Sequence, residues 1–194
     1  MKKHIIAVCC FLGALSLYSC NSSSSNEAQT GESGTPVVAS DSTLTDDKKE
    51  LMAFAARNNM LQIELGKMAT QKGSSDEVKQ YGQQLVDWYT NKQQELQDLA
   101  QQFSVTLPQQ LGDDQRDYVA DIQKADANEF DQKYWDSVVD SQKEAIDEYD
   151  DNLKDVAEAS GNAFSIWARN TLKELRAQME QASAYQFQRN TDQS

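Results

Sequence analysis

The chain has 194 residues, with 31 acidic against 18 basic side chains and a net charge of −13 at neutral pH. A surface this acidic repels phosphate backbones and anionic lipid headgroups, which excludes nucleic acid as a partner. Its one histidine, His4, and its three cysteines, Cys9, Cys10 and Cys20, all fall within the first twenty residues.

Those twenty residues begin basic, "MKKH", continue apolar, "IIAVCCFLGALSLY", and end "SC". A bilayer crossing takes roughly 20 apolar residues, so this shorter run predicts a secretory signal removed before folding. Leu17 and Ser19 ahead of Cys20 resemble the lipobox of bacterial lipoproteins. That resemblance implies lipidation of Cys20 as the new first residue. The expected division is a signal over 1–19, a lipidated cysteine and flexible tether over 20–44, and a folded domain over 45–190. With the signal gone and lipid on Cys20, the mature chain has no free thiol and no histidine, which removes the usual general base, the usual zinc ligand and the His-based triads together. Losing Lys2 and Lys3 also takes the net charge from −13 to about −15. Attachment then comes from acyl chains, at roughly 0.8 kcal/mol per buried methylene and with more than one chain needed to hold firmly. Asn21 is not the aspartate associated with inner-membrane retention, which favours an outer-membrane anchor facing the periplasm.

Residues 21–44, "NSSSSNEAQTGESGTPVVASDSTL", are too poor in large apolar groups to offset the entropy of ordering. As a random coil they would hold the domain on the order of 25 Å from the membrane. A first helix is predicted over 46–72, where Leu51, Phe54, Ala55, Leu61, Leu65, Met68 and Ala69 recur at helical spacing. Gly73 suits its C-cap, and Ser74 with Glu77 suits a capping box for a second helix over 75–103, striped by Val78, Tyr81, Leu85, Tyr89, Leu96, Leu99 and Phe103. Pro108 and Gly112 break the pattern before a short helix over 113–124. A long helix over 127–159 carries Phe130, Tyr134, Val138, Ala145, Tyr149 and Val156 and stops at "ASGN". The last, over 162–188, carries Phe164, Trp167, Ala168, Thr171, Leu172, Leu175, Met179, Ala182 and Tyr185. No segment alternates as a strand would. The fold class is therefore all-α: an up-and-down or ferritin-like four-helix bundle with a short extra helix between the second and third long ones.

Four polar residues lie on or beside these stripes. Tyr89 falls within the face set by Leu85 and Leu96, Gln142 near the centre of that set by Val138, Ala145 and Tyr149, Gln178 beside Leu175 and Met179, and Glu64 at the shoulder of the first stripe. They make either a converging polar cluster in the core or side chains that bond to one another at helix interfaces. Neither is a ready metal site, because glutamine ligates weakly and tyrosine is costly to ionise near neutrality.

At this level of detail the chain resembles the DUF4142 family of bacterial envelope proteins with a ferritin-like four-helix domain. The resemblance runs through "IELGKMA" (63–69), "LVDWYTNKQQEL" (85–96), "FDQKYWDSVVDSQKEAIDEY" (130–149) and "TLKELRAQM" (171–179). It implies that Glu64 matches a family glutamate, and that Tyr89, Gln142 and Gln178 stand where relatives carry histidine. Ferritin-like di-metal sites draw glutamates from each helix and histidines from two of them, so the resemblance implies a degenerate site with no metal and no cofactor.

The expected function is a non-enzymatic envelope lipoprotein, held to the membrane by lipidated Cys20, with a binding, structural or stress-related role and an envelope protein or small ligand as partner. The alternative is a di-iron or di-manganese oxidase built from carboxylates around Glu64, which requires at least four inward carboxylates. An acidic cation-binding surface module is a third reading.

Overall fold

The structure, a computed structural model, describes residues 44–154, 156–157 and 161–192. The expected signal, Cys20 and nearly all of the tether lie outside the described residues. Among the described residues five helices follow one another: α1 (Asp46–Lys72), α2 (Asp76–Gln102), α3 (Asp113–Lys124), α4 (Ala127–Leu153) and α5 (Ala163–Asp192). No strand is found among the described residues, and none of the described helices is long and apolar enough to cross a membrane. Leu44, assigned from sequence to the end of the tether, is instead buried against the core at 6% exposure.

α1 and α2 form a tight hairpin because small residues face each other across it. A Cβ on Gly66 would lie 2.6 Å from the Gly82 carbonyl oxygen, and one on Gly82 would lie 2.6 Å from the Ala69 Cβ. The turn between the helices is equally close. A Cβ on Gly73 would meet the Ala69 carbonyl oxygen at 2.6 Å and Val78 Cγ1 at 2.7 Å, so contact distance, not backbone conformation, requires glycine there. The expected capping box shifts by one residue. Ser75 is the N-cap of α2 and accepts from the Val78 N–H at 3.2 Å, while Ser74 is drawn away to Asp131 on α4.

α2 ends in a Schellman motif, with the Val105 N–H on the Ala100 carbonyl at 2.8 Å and Ser104 in the left-handed region at φ 55°. The chain then crosses the bundle through Leu107, Pro108 and α3. It arrives beside the opposite end of α1, where the Lys72 ammonium donates to the carbonyl of Gln123 and to that of Ala125 (2.9 Å). α4 consequently runs in the direction of α2, and α5 returns antiparallel to both. Contacts confirm the register: Tyr81 meets Gln178, Gln84 meets Gln181 and Trp88 meets Glu174 across α2 and α5, while Gln186 meets Asp136 and Arg176 meets Asp150 across α4 and α5. Two hairpins joined by one long crossover is the connectivity of ferritin-like bundles. α4 stops at Leu153, earlier than the expected 159, and Val156 sits half-buried in the turn that follows.

Candidate functional site

All four long helices place uncharged polar side chains inside the bundle. α1 contributes Asn58 and, one turn on, Gln62, at 6% and 0% exposure. α2 contributes Tyr81 and Tyr89, two turns apart with Leu85 between them. From α4 come Tyr134 and Gln142, and from α5 come Thr171 and the half-buried Gln178. These spacings of four, seven and eight residues keep each pair on one helical face.

Tyr81 is the best connected of the set. Its hydroxyl donates to the Gln178 backbone carbonyl at 3.2 Å and accepts from Gln142 Nε2 at 3.3 Å. Its ring packs on Trp135 at 4.9 Å and on Tyr185 at 5.9 Å, within an aromatic end of the bundle that also includes Tyr134 and Phe130. Burial pushes its phenol up to about 12, against the lowering effect of the Gln142 bond. Tyr89 is fully enclosed, and burial, reinforced by Tyr81, drives its pKa far above the ordinary tyrosine value. Gln142 and Asn58 lie near that hydroxyl without reaching hydrogen-bond geometry. Burial raises Tyr134 and Tyr149 in the same way, with Thr171 close to the Tyr149 hydroxyl.

Six buried polar atoms have no hydrogen-bond partner within the described protein: Oε1 and Nε2 of Gln62, the hydroxyls of Tyr89, Tyr134 and Thr171, and Oε1 of Gln142. Leaving one such group unsatisfied costs roughly 1–3 kcal/mol. Together they would rival the 5–15 kcal/mol or so that separates a folded domain from its unfolded chain.

Glu64 is not part of this cluster. The glutamate expected at the shoulder of the α1 stripe lies outward, its side chain 46% exposed and paired with Lys67 at 2.8 Å. Gln62 takes the inward position, about 200° away round the helix. Of the other residues singled out from sequence, Tyr89 and Gln142 are fully inside and Gln178 reaches the cluster through Tyr81. Gln62, Asn58, Tyr134 and Thr171 were not recognised as polar members. The signal for Gln62 was available, since it falls four residues after Asn58 and three before Leu65 on the face that also carries Leu51, Ala55 and Ala69.

A family model for a domain of unknown function, DUF4142, matches residues 33–185. The chain belongs to this family. The match takes in α1 to α4 and most of α5, and with them every member of the polar cluster. Neither a curated protein nor a solved structure matches the chain. The DUF4142 domain's chemistry must therefore be read from its own side chains.

The donor set does not fit a di-metal centre. Asp131 is the one buried carboxylate among the described residues, and its oxygens are taken by the Ser74 N–H (2.8 Å), the Ser74 hydroxyl (2.6 Å) and the Ser75 N–H (3.0 Å) at the end of the bundle. Among the described residues no group of three or more His, Cys, Asp or Glu is placed to hold a metal ion. Outside the cluster, Lys92 closes the α2–α5 seam. Its ammonium pairs with Glu95 and Glu174, each at 2.9 Å, and lies 5.5 Å from the Trp88 ring, while Trp88 Nε1 donates to Glu174 at 3.0 Å. Burial alone would lower the Lys92 pKa, but the two carboxylates outweigh it and leave it raised.

Proposed function

We propose that the mature protein is a lipid-anchored envelope bundle that binds or organises other components and does no chemistry of its own. One observation carries this reading. The inward polar set consists of amides, phenols and a hydroxyl, and its phenols are held protonated far above neutrality. A general acid or base works best with a pKa near the operating pH, and no member of the set offers one. Positions 89, 142 and 178 are, in this reading, the remnant of a site whose histidines have been replaced. The di-metal oxidase would need Glu64 facing inward among other carboxylates, and Glu64 faces solvent beside Lys67. The anchor follows from Cys20 and its preceding residues, with the outer membrane and its periplasmic face as the location.

Two measurements on the full chain test the two halves of the proposal. Changing Cys20→Ser should move the protein from the membrane fraction to the soluble one; a variant that still sediments with membranes places attachment in the bundle. Titrating the purified domain with ferrous or manganous ion should show no stoichiometric site, and a chelator should leave its melting temperature unchanged, because a ligand that binds the folded state stabilises it by mass action. A site for two ions per chain would replace the binding module with the oxidase.

A further inference from the structure

The inward polar atoms that lack partners come from all four long helices and include both donors and acceptors. Gln62 offers a donor and an acceptor from α1, Tyr89 a hydroxyl from α2, Tyr134 a hydroxyl and Gln142 an acceptor from α4, and Thr171 a hydroxyl from α5. Tyr89, Tyr134 and Gln142 gather around Tyr81, and Thr171 lies beside Tyr149. Gln142 gives its Nε2 to Tyr81 and keeps its Oε1 free. Tyr89 lies two turns along α2 from Tyr81, and Asn58, one turn from Gln62, approaches the Tyr89 hydroxyl.

We propose that the core between α1, α2, α4 and α5 is a hydration site, in which a small cluster of ordered waters is bound by Gln62, Tyr89, Tyr134, Gln142 and Thr171 as an integral part of the fold. Charge selects the occupant. Every atom offered is neutral, so an ion would enter without compensation, whereas water can donate and accept in turn. Two grooves of the surface, about 860 Å³ beside the start of α1 and about 620 Å³ between α2 and α5, are lined by other residues, among them Lys48, Arg57 and Glu148 in the first and Lys92, Ile166 and Trp167 in the second. No member of the polar cluster lines either groove. Frequency agrees, since a domain of this length carries on the order of five buried waters at about one per 27 residues, each satisfying two to four polar groups. The α2–α5 seam is the exchange route. These helices approach closely at few points and are bridged by polar pairs, Tyr81 with Gln178, Gln84 with Gln181 and Trp88 with Glu174.

Removing one hydroxyl at a time while keeping shape gives a test in which the sign decides. In Tyr134→Phe and Thr171→Val of the full mature chain, a hydroxyl bonded to water leaves that water short of a partner, and the melting temperature should fall by roughly 2–4 °C for each variant. A dry, unpartnered hydroxyl would instead be relieved by its removal, and the melting temperature would rise. A high-resolution crystal structure of the same protein reads the site directly. Waters within hydrogen-bond distance of Gln62 and Tyr89, together with lowered melting temperatures, are the expected result. Raised melting temperatures, a core without water density, or a co-purified molecule found there by native mass spectrometry would each overturn the proposal.

Discussion

Asp131 pins the turn between α1 and α2 to the start of α4, and Asp131→Asn should separate the charge of that residue from its shape. The carboxylate is 4% exposed and accepts three hydrogen bonds, from the Ser74 N–H, the Ser74 hydroxyl and the Ser75 N–H. Asparagine keeps one acceptor oxygen and presents an NH₂ group to a donor. The Ser74 hydroxyl can rotate to accept from that group, but the Ser75 N–H cannot. One charge-assisted bond is lost and a second weakened, at about 1.5–3 kcal/mol for each bond to a charged group, so the variant should lose roughly 2–4 kcal/mol at pH 7. The pH dependence follows from the direction of the shift. Burial raises the Asp131 pKa, but the bonds from Ser74 and Ser75 outweigh it and leave it below the ordinary aspartate value. A carboxylate depressed in this way contributes its full stability above its unfolded pKa of about 3.9 and loses it as pH falls through the folded value. Urea denaturation of both proteins at pH 7 and near pH 3 therefore checks magnitude and sign together. Equal midpoints at pH 7, or a gap that stays constant into acid, would refute the role assigned to the charge.

Gly66→Ala would set a Cβ 2.6 Å from the Gly82 carbonyl oxygen and 2.9 Å from Val86 Cγ2. It should cost about 1–3 kcal/mol in urea melts despite alanine's better helix propensity, whereas Gly161→Ala, with nothing within 4 Å of the new carbon, should not be destabilising. Ser104→Gly removes the left-handed penalty at φ 55° and should stabilise by up to about 1 kcal/mol in the same assay. Tyrosine ionisation followed at 295 nm should leave Tyr81, Tyr89, Tyr134 and Tyr149 protonated until the domain unfolds in strong alkali. Burial raises all four, so their contribution is complete below the unfolded pKa of about 10 and is lost as pH rises through the folded values; ionisation of all four in a still-helical protein would contradict their placement.

The helices were legible in the sequence because their stripes are long and periodic. The expected spans of 46–72 and 113–124 coincide with α1 and α3, and the stripe residues Leu51, Leu65, Val78, Leu85, Phe130, Val138, Phe164 and Leu175 are all buried. Boundaries decided by tertiary contact were not. Ser74 reads as an N-cap on local grounds, but a buried aspartate 57 residues away claims it. The end of α4 at Leu153 carries no local stop. The polar cluster was half legible for a related reason. A wheel centred on the large apolar residues of α1 puts Glu64 at its edge, but α1 packs against α2, α3 and α4, and the resulting buried arc is wide enough to include Met52, Ala56, Asn59 and Gln62. Periodicity locates a stripe; the number of neighbours sets its width.

The bundle's two sides differ in a way that bears on its function. On the α1–α2 side, Gly66, Gly82 and Ala69 bring backbones into contact, and a seam held by atoms that close cannot admit a ligand without separating two helices. On the α2–α5 side, tyrosine, tryptophan, glutamine, glutamate and lysine side chains bridge the gap, and most of these links are single hydrogen bonds or ion pairs between partly exposed groups. Such links contribute about 1 kcal/mol or less each, and a seam made of them opens locally at a fraction of the global unfolding free energy. Of the two seams, the polar one is therefore the less costly to open. In the hydration site proposed above, which lies behind that seam, water therefore exchanges by local opening without unfolding of the domain.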